Sequence, residues 1–357
     1  MRVMILSLII LFLISGTVMA ESAELVDTHS LVQGLPQESA EQLKDVSPSQ
    51  SFNLMDTVIN IWHKAVSRCT STIREGVRLC FLILGIVMLC SLCINPRWHN
   101  ELRLCIGVLG IFSAIAGSLH TMINLAQETI EKLRTYSGLL LPVMSSAMAL
   151  SGAPTTAAVL HGITILFSQI LMASMTKLLF PCVYFYLVLG AVEVSLQNRM
   201  MGEFRELLGW LIEKSLRILM YLFMGFLSIS GIISGNADGL AVKATKKALS
   251  GMVPVIGSIL SDASETMLVG ANLIKNTAGA FGLVAVVSIS LYPFLQIGVQ
   301  YLLMKLTTAC AGAVALPGHV SYLKHVSSAM GYVLAMTGIC ALLLLVCGIC
   351  YLQVTVV

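Results

Sequence analysis

Charge is scarce in this sequence. Asp, Glu, Lys and Arg make up only 11% of its 357 residues, against 57% hydrophobic. A soluble domain carries roughly 25% charged residues, and one this poor in charge would expose large apolar patches. A soluble enzyme is thereby excluded, and a mean hydropathy of +0.89 agrees. Intrinsic disorder is excluded too, because it needs low hydrophobicity and high net charge. The net charge of +3 comes without a dense basic run, so there is no nucleic-acid footprint. No G-x-x-x-x-G-K-[ST] loop occurs, so the chain is not its own ATP motor, and H-E-x-x-H is missing as well. G-x-S-x-G is also absent. The seven histidines, at 29, 63, 99, 120, 161, 319 and 325, are scattered without metal-ligand spacing. No catalytic pair, cofactor or metal is expected. What remains is an all-α, polytopic helical membrane protein.

The N-terminus has the three parts of a secretory signal peptide. Arg2 supplies charge, Val3 to Ile14 the apolar stretch, and Val18-Met19-Ala20 a cleavage site before Glu21. Cleavage between Ala20 and Glu21 is expected, with an uncleaved signal anchor as the alternative. Either way the next segment, 21–76, lies outside the cytoplasm. It holds eight acids against four Lys and Arg. Up to Gln50 it reads as a linker. From Ser51 an amphipathic helix is expected, with Met55, Val58, Trp62, Val66, Cys69 and Ile73 at three- and four-residue steps. Such a helix lies on the membrane surface or docks on a partner.

Residues 77–357 read as the membrane domain, with about eight apolar segments by the roughly 20-residue criterion. They fall at 78–95, 104–124, 138–151, 155–176, 178–196, 216–234, 281–303 and 327–350. Pro142, Gly152 and Pro154 mark 138–151 and 155–176 as a broken or re-entrant pair. With 21–76 outside, the loops Asn95–Arg103, Gln197–Ser215 and Lys305–His325 share the cytoplasmic side, although the Lys/Arg bias between the two sides is weak.

Nine of ten cysteines lie in apolar runs, including Cys90-Ser91-Leu92-Cys93 and Cys347-Gly348-Ile349-Cys350. A thiolate is costly there, so these read as packing residues rather than a redox pair. Glu193, Gln296 and Gln300 are polar residues in apolar context and read as interhelical hydrogen bonds. Gly110, Ala114 and Ser118, then Gly231, Gly235 and Gly239, recur at four-residue steps, which favours close packing or homo-oligomers.

The stretch 254–283, PVIGSILSDASETMLVGANLIKNTAGAFGL, is too polar for a lipid-facing span and too apolar for a soluble loop. On a helix, Ser258, Ser261, Asp262, Glu265, Asn272, Lys275 and Asn276 gather within an arc of about 140°. Charge at membrane depth faces water or a bundle interior. The helix is therefore either interfacial, with its stripe in water, or a re-entrant, pore-lining or partner-facing element. Lys243, Lys246 and Lys247 lie just upstream, placed to meet anionic headgroups or an acidic partner surface.

This stretch, followed by Val284 and then by Tyr292-Pro293, resembles the signature region of the stage III sporulation protein AE family. The layout is similar as well: signal peptide, polar segment, and a multi-span body with an SGAP break at Ser151–Pro154. The resemblance is strongest over 240–300 and brings no catalytic residue. It implies a membrane subunit of the mother cell–forespore channel, or feeding-tube, complex, needed for forespore development and late forespore gene expression. It places the chain in the mother-cell membrane surrounding the forespore. It implies a secretion-type ATPase and ring-forming proteins of the same operon as partners, with a forespore membrane partner across the gap. An independent small-solute transporter is the alternative, although the repeated halves usual for one are not evident.

Overall fold

The computed structural model describes residues 29–43, 54–92, 100–151, 153–223, 225 and 256–353. The signal peptide with Ala20 and Glu21, the glycines at 231, 235 and 239, and Lys243, Lys246 and Lys247 lie outside the described residues. Every element among the described residues is a helix. Two are short, α1 (His29–Gln33) and α2 (Gln37–Gln42). The rest are long: α3 (Leu54–Leu92), α4 (Asn100–Leu150), α5 (Pro154–Ser174), α6 (Phe180–Leu196), α7 (199–223), α8 (Ile256–Ala311) and α9 (Pro317–Gln353). Five uninterrupted helical stretches among them are long and apolar enough to cross a membrane: Asp56–Leu92, Leu102–Leu150, Pro154–Leu196, Asn276–Ala311 and Pro317–Leu352. The protein is a multi-pass helical membrane protein.

Several expected segments lie on one helix. Segments 104–124 and 138–151 both belong to α4, which has 51 residues and is about 77 Å long. The polar stretch between them stays helical because its charges pair along the helix. Lys132 Nζ lies 2.8 Å from Glu128 Oε1, and Arg134 Nη1 lies 3.6 Å from Glu131 Oε2. Segments 155–176 and 178–196 are likewise continuous, joined by a single π turn at Met175–Leu179. Pro181 follows at once. It has no N–H to donate, and a wider turn just upstream is how a helix accommodates such a gap. Beyond Ser151, α5 and then α6 run back along α4 as a hairpin, with Pro154 opening α5.

The amphipathic stretch and the first apolar segment form one helix, α3, which crosses the boundary expected at residue 76 without interruption. The face it buries in the bundle is Ile61, Ala65, Cys69, Thr72 and Gly76, which shares Cys69 with the apolar stripe and otherwise lies beside it. Trp62, Val66 and Ile73 stay exposed. Small residues are chosen because α3 lies tight on α8. A methyl group at Gly76 would stand 2.5 Å from Leu303 Cδ1. The membrane-surface helix is thus packed along its own chain.

Helices α8 and α9 form the centre. From His325 to Leu352, α9 has no exposed residue, and neither has α8 from Thr277 to Ser290. They run antiparallel, with Phe294 against Gly338 and Tyr301 against Gly331. Helices α3, α4 and α9 all pack on α8.

Candidate functional site

The connections divide the bundle into two ends. Leu104 packs against Gly318 at one end, beside the two-residue turn after α6. That turn is built from Gln197 in the left-handed region (φ 49°) and Asn198, whose Oδ1 accepts the Met200 N–H at 2.9 Å and caps α7. The turn 312–316 and Pro317 close the α8–α9 hairpin at the same end. Arg103, Gln197–Arg199 and residues of Leu316–Ser321 therefore meet, so the described parts of the three segments expected on one side share one end of the molecule. Most of 197–215 is helix rather than loop. The segment expected at 216–234 starts inside α7, and most of it lies outside the described residues.

A charge knot lies beneath this end. Glu193, on the last turn of α6, accepts from Arg205 Nε at 2.6 Å, and the Arg205 side chain is 10% exposed. Arg205 Nη1 donates to Tyr186 Oη at 3.3 Å, and its guanidinium carbon stands 5.6 Å from that ring centroid. His325 Nε2 of α9 lies 3.6 Å from Glu193 Oε2. Tyr186 meets Tyr332 edge-on at 5.6 Å between centroids. The knot ties α6, α7 and α9 together, and three glycines make room for it. A methyl at Gly202 would reach Glu193 Oε1 at 2.7 Å, one at Gly190 would meet His325 and Arg205, and one at Gly209 would meet Tyr332 Oη at 3.1 Å.

Glu193 was legible as a polar residue with an interhelical role. Its partner was not, because Arg205 read as a loop charge. The available signal was a carboxylate and an arginine twelve residues apart, with glycines at 190, 202 and 209 around them.

Above the knot a cleft of about 600 Å³ opens, lined by Arg103, Glu193, Gln197, Asn198, Arg199 and Ser321 among others. Ser321, His325 and Glu193 together do not form a hydrolytic triad. Ser321 Oγ, at 3.4 Å, and Glu193 both approach the same ring nitrogen, Nε2. A relay needs the acid on the other nitrogen. With two arginines on its wall, the cleft is suited to hold a polar or acidic loop.

A second polar zone circles the middle of the bundle. Arg134 Nε donates to Gln169 Oε1 at 2.6 Å, Ser288 Oγ donates to Gln42 Oε1 at 2.8 Å, and Arg68 stands 6.0 Å from the Tyr292 ring centroid. Here α2 docks, over a cavity of about 130 Å³ lined in part by Glu38, Arg68, Lys132 and Tyr292.

The stripe expected at 258–276 is carried by α8, which is helical from Ile256. The side chains of Ser258, Ser261, Asp262, Glu265, Asn272 and Lys275 lie outside the described residues, and Asn276 is half-buried. Cys347 is buried and Cys350 half-buried, both as free thiols. Among the described residues no group of three His, Cys, Asp or Glu is placed to hold a metal.

Comparison with known proteins adds a family. The family description "Stage III sporulation protein AE" matches residues 50–354. The stage III sporulation protein AE of Bacillus subtilis (strain 168) is 23% identical over 226 residues, covering 63% of this chain and 57% of that protein. The match spans less than two thirds of that relative's length. No solved structure matches. A family match over most of the chain, including its central α8–α9 pair, settles the assignment: the chain belongs to the stage III sporulation protein AE family.

Proposed function

We propose that the chain is a membrane subunit of the channel complex joining mother cell and forespore. It sits in the mother-cell membrane around the engulfed forespore and supports forespore development and late forespore gene expression. The single observation that carries this reading is the family match over 50–354. The five long apolar helices and the lack of a phosphate loop are in keeping with it, since such a body needs energy from elsewhere. Its partners are then an ATPase, ring-forming proteins of the same operon and a forespore membrane protein. The two-arginine cleft and the 258–276 stripe are the surfaces for them.

The test is a clean deletion in the native organism, complemented in trans. Engulfment should complete, the forespore should then stall, and complementation should restore heat-resistant spores. Normal spore counts in the deletion strain would overturn the reading. On the stripe, Asp262→Leu should abolish spore formation while the protein still inserts. A silent triple substitution of Asp262, Glu265 and Lys275 would remove the stripe from the site.

A further inference from the structure

Helix α7 has three faces. The packed face is Gly202, Arg205, Gly209, Ile212, Leu216 and Phe223. A second arc of about 60° holds Met200, Phe204, Leu207, Leu211, Ile218 and Leu222, all exposed. The third, about 100° wide, holds Arg199, Glu203, Glu206, Glu213, Lys214 and Arg217, with the amphipathic rings of Trp210 and Tyr221 between them, all exposed.

Contacts fix where α7 lies. It starts at Glu193, passes Tyr186 and Tyr332 at Gly209, and ends with Phe223 5.8 Å from Phe167. It therefore runs antiparallel along the stretch 167–196. That stretch exposes Ile170, Leu178, Phe185, Val188 and Leu196. This stretch belongs to a helical run long and apolar enough to cross a membrane, its outward side chains suit lipid, and α7 lies alongside it at the same depth.

The charged face then meets a physical limit. A charge at the bilayer centre is costly even on the mildest scale. Pairing along the helix, Arg199 with Glu203 at 3.5 Å and Arg217 with Glu213, leaves all four groups open to the outside. Glu206 is 75% exposed, touching only Arg205 at 3.4 Å among ion pairs.

We propose that the charged face of α7 meets water at membrane depth and forms one wall of an aqueous path. Three acids and three bases give the wall no net charge, so it selects neither cations nor anions and suits small hydrated solutes. The solute class rests on the channel reading; the wetness of the wall does not.

The experiment uses full-length protein in its native membrane and a membrane-impermeant, charged thiol reagent. Single cysteines replace Glu203, Glu206 and Glu213 on one face and Phe204, Leu211 and Ile218 on the other, with unsubstituted protein as the baseline. Lipid suppresses the reactive thiolate, so the first set should label at least about tenfold faster than the second. Equal labelling of both sets would place α7 outside the bilayer and overturn the proposal. No labelling of either would show a dry face and overturn it as well. A reading without variants uses a water-soluble carbodiimide on the native protein. Modification of Glu203, Glu206 and Glu213 supports the wall and their protection overturns it. Labelling reports on the wall and spore counts on the channel role, so the two fail separately.

Discussion

The two halves of the bundle differ most in what they show to the outside. On the half nearest the cleft, α3 exposes Phe81, Leu89 and Leu92, α4 exposes Leu102, Ile106 and Leu109, and α6 exposes Phe185 and Leu196. On the far half, beyond the Arg134–Gln169 contact, α4 exposes Gly138, Pro142 and Ser146, and α5 exposes Thr155, Ala158 and Gly162. Leu150, Val159, Leu166 and a strip of Ile59, Trp62 and Val66 are larger exceptions there. The interiors differ in the opposite sense. The cleft half seats an ion pair among its glycines, whereas the far half seats apolar side chains against them: Met144 and Leu352 on Gly279, Leu140 on Gly282, Leu283 on Gly348. The same four long helices, α3, α4, α8 and α9, build both. A long apolar helix is thus not by itself a lipid-facing one. Its outward side chains decide that, and they change midway along α4.

The largest expected effect breaks the polar interior of the cleft half. Arg205→Leu leaves the half-buried Glu193 without its arginine, at a cost of up to about 3–5 kcal/mol. It should sharply lower the melting temperature of the detergent-solubilised protein. Lys132→Ala, at an exposed pair in the middle zone, should cost less than about 1 kcal/mol. Equal shifts for the two would mean the knot is not a structural centre.

Next comes the exterior. Phe185→Lys puts a charge on the lipid-type wall, worth about 2.5–3.5 kcal/mol against insertion. Membrane-fraction yield should fall, while Gly162→Lys on the far half should leave it unchanged. A drop for Gly162→Lys alone would invert the comparison. Smaller is overpacking of the far interior. Gly282→Val drives a side chain into buried Leu140, a change of about 1–3 kcal/mol, readable by the same melting assay. Gly225→Val has no neighbour within 4 Å and should melt unchanged. The smallest effect is expected in the middle zone, where Gln169→Ala removes the acceptor of Arg134 for about 0.5–1.5 kcal/mol.

Much of this was legible in the sequence. The apolar run 327–350 is the core of α9, 281–303 lies on α8, and the chain reverses between Ser151 and Pro154. The continuity of α4 was not legible from apolar runs, because charges at 128–134 look like a loop when each run is counted as a crossing. Their i,i+3 and i,i+4 pairing keeps the helix intact. The face that α3 packs on its own chain was not legible either: the apolar stripe with Trp62 and Val66 stays outward, and close approach to α8 selects Ala65 and Gly76 for the inward side. In the site, Glu193 was visible as an isolated acid, whereas Arg205 needed the tertiary turn at Gln197 to bring it back.

The uninterrupted run of α3, α4, α8 and α9 has a mechanical consequence. Among the described residues these four helices pass from one half to the other without a break, so the halves do not swing about a joint. A push or twist delivered at the far end travels as through a bundle of rods to the loops around the cleft. The stiffness is least where a helix loses backbone hydrogen bonds, at Pro142, Pro293 and the π turn before Pro181. These three places lie in different helices, and any bending of the whole concentrates there.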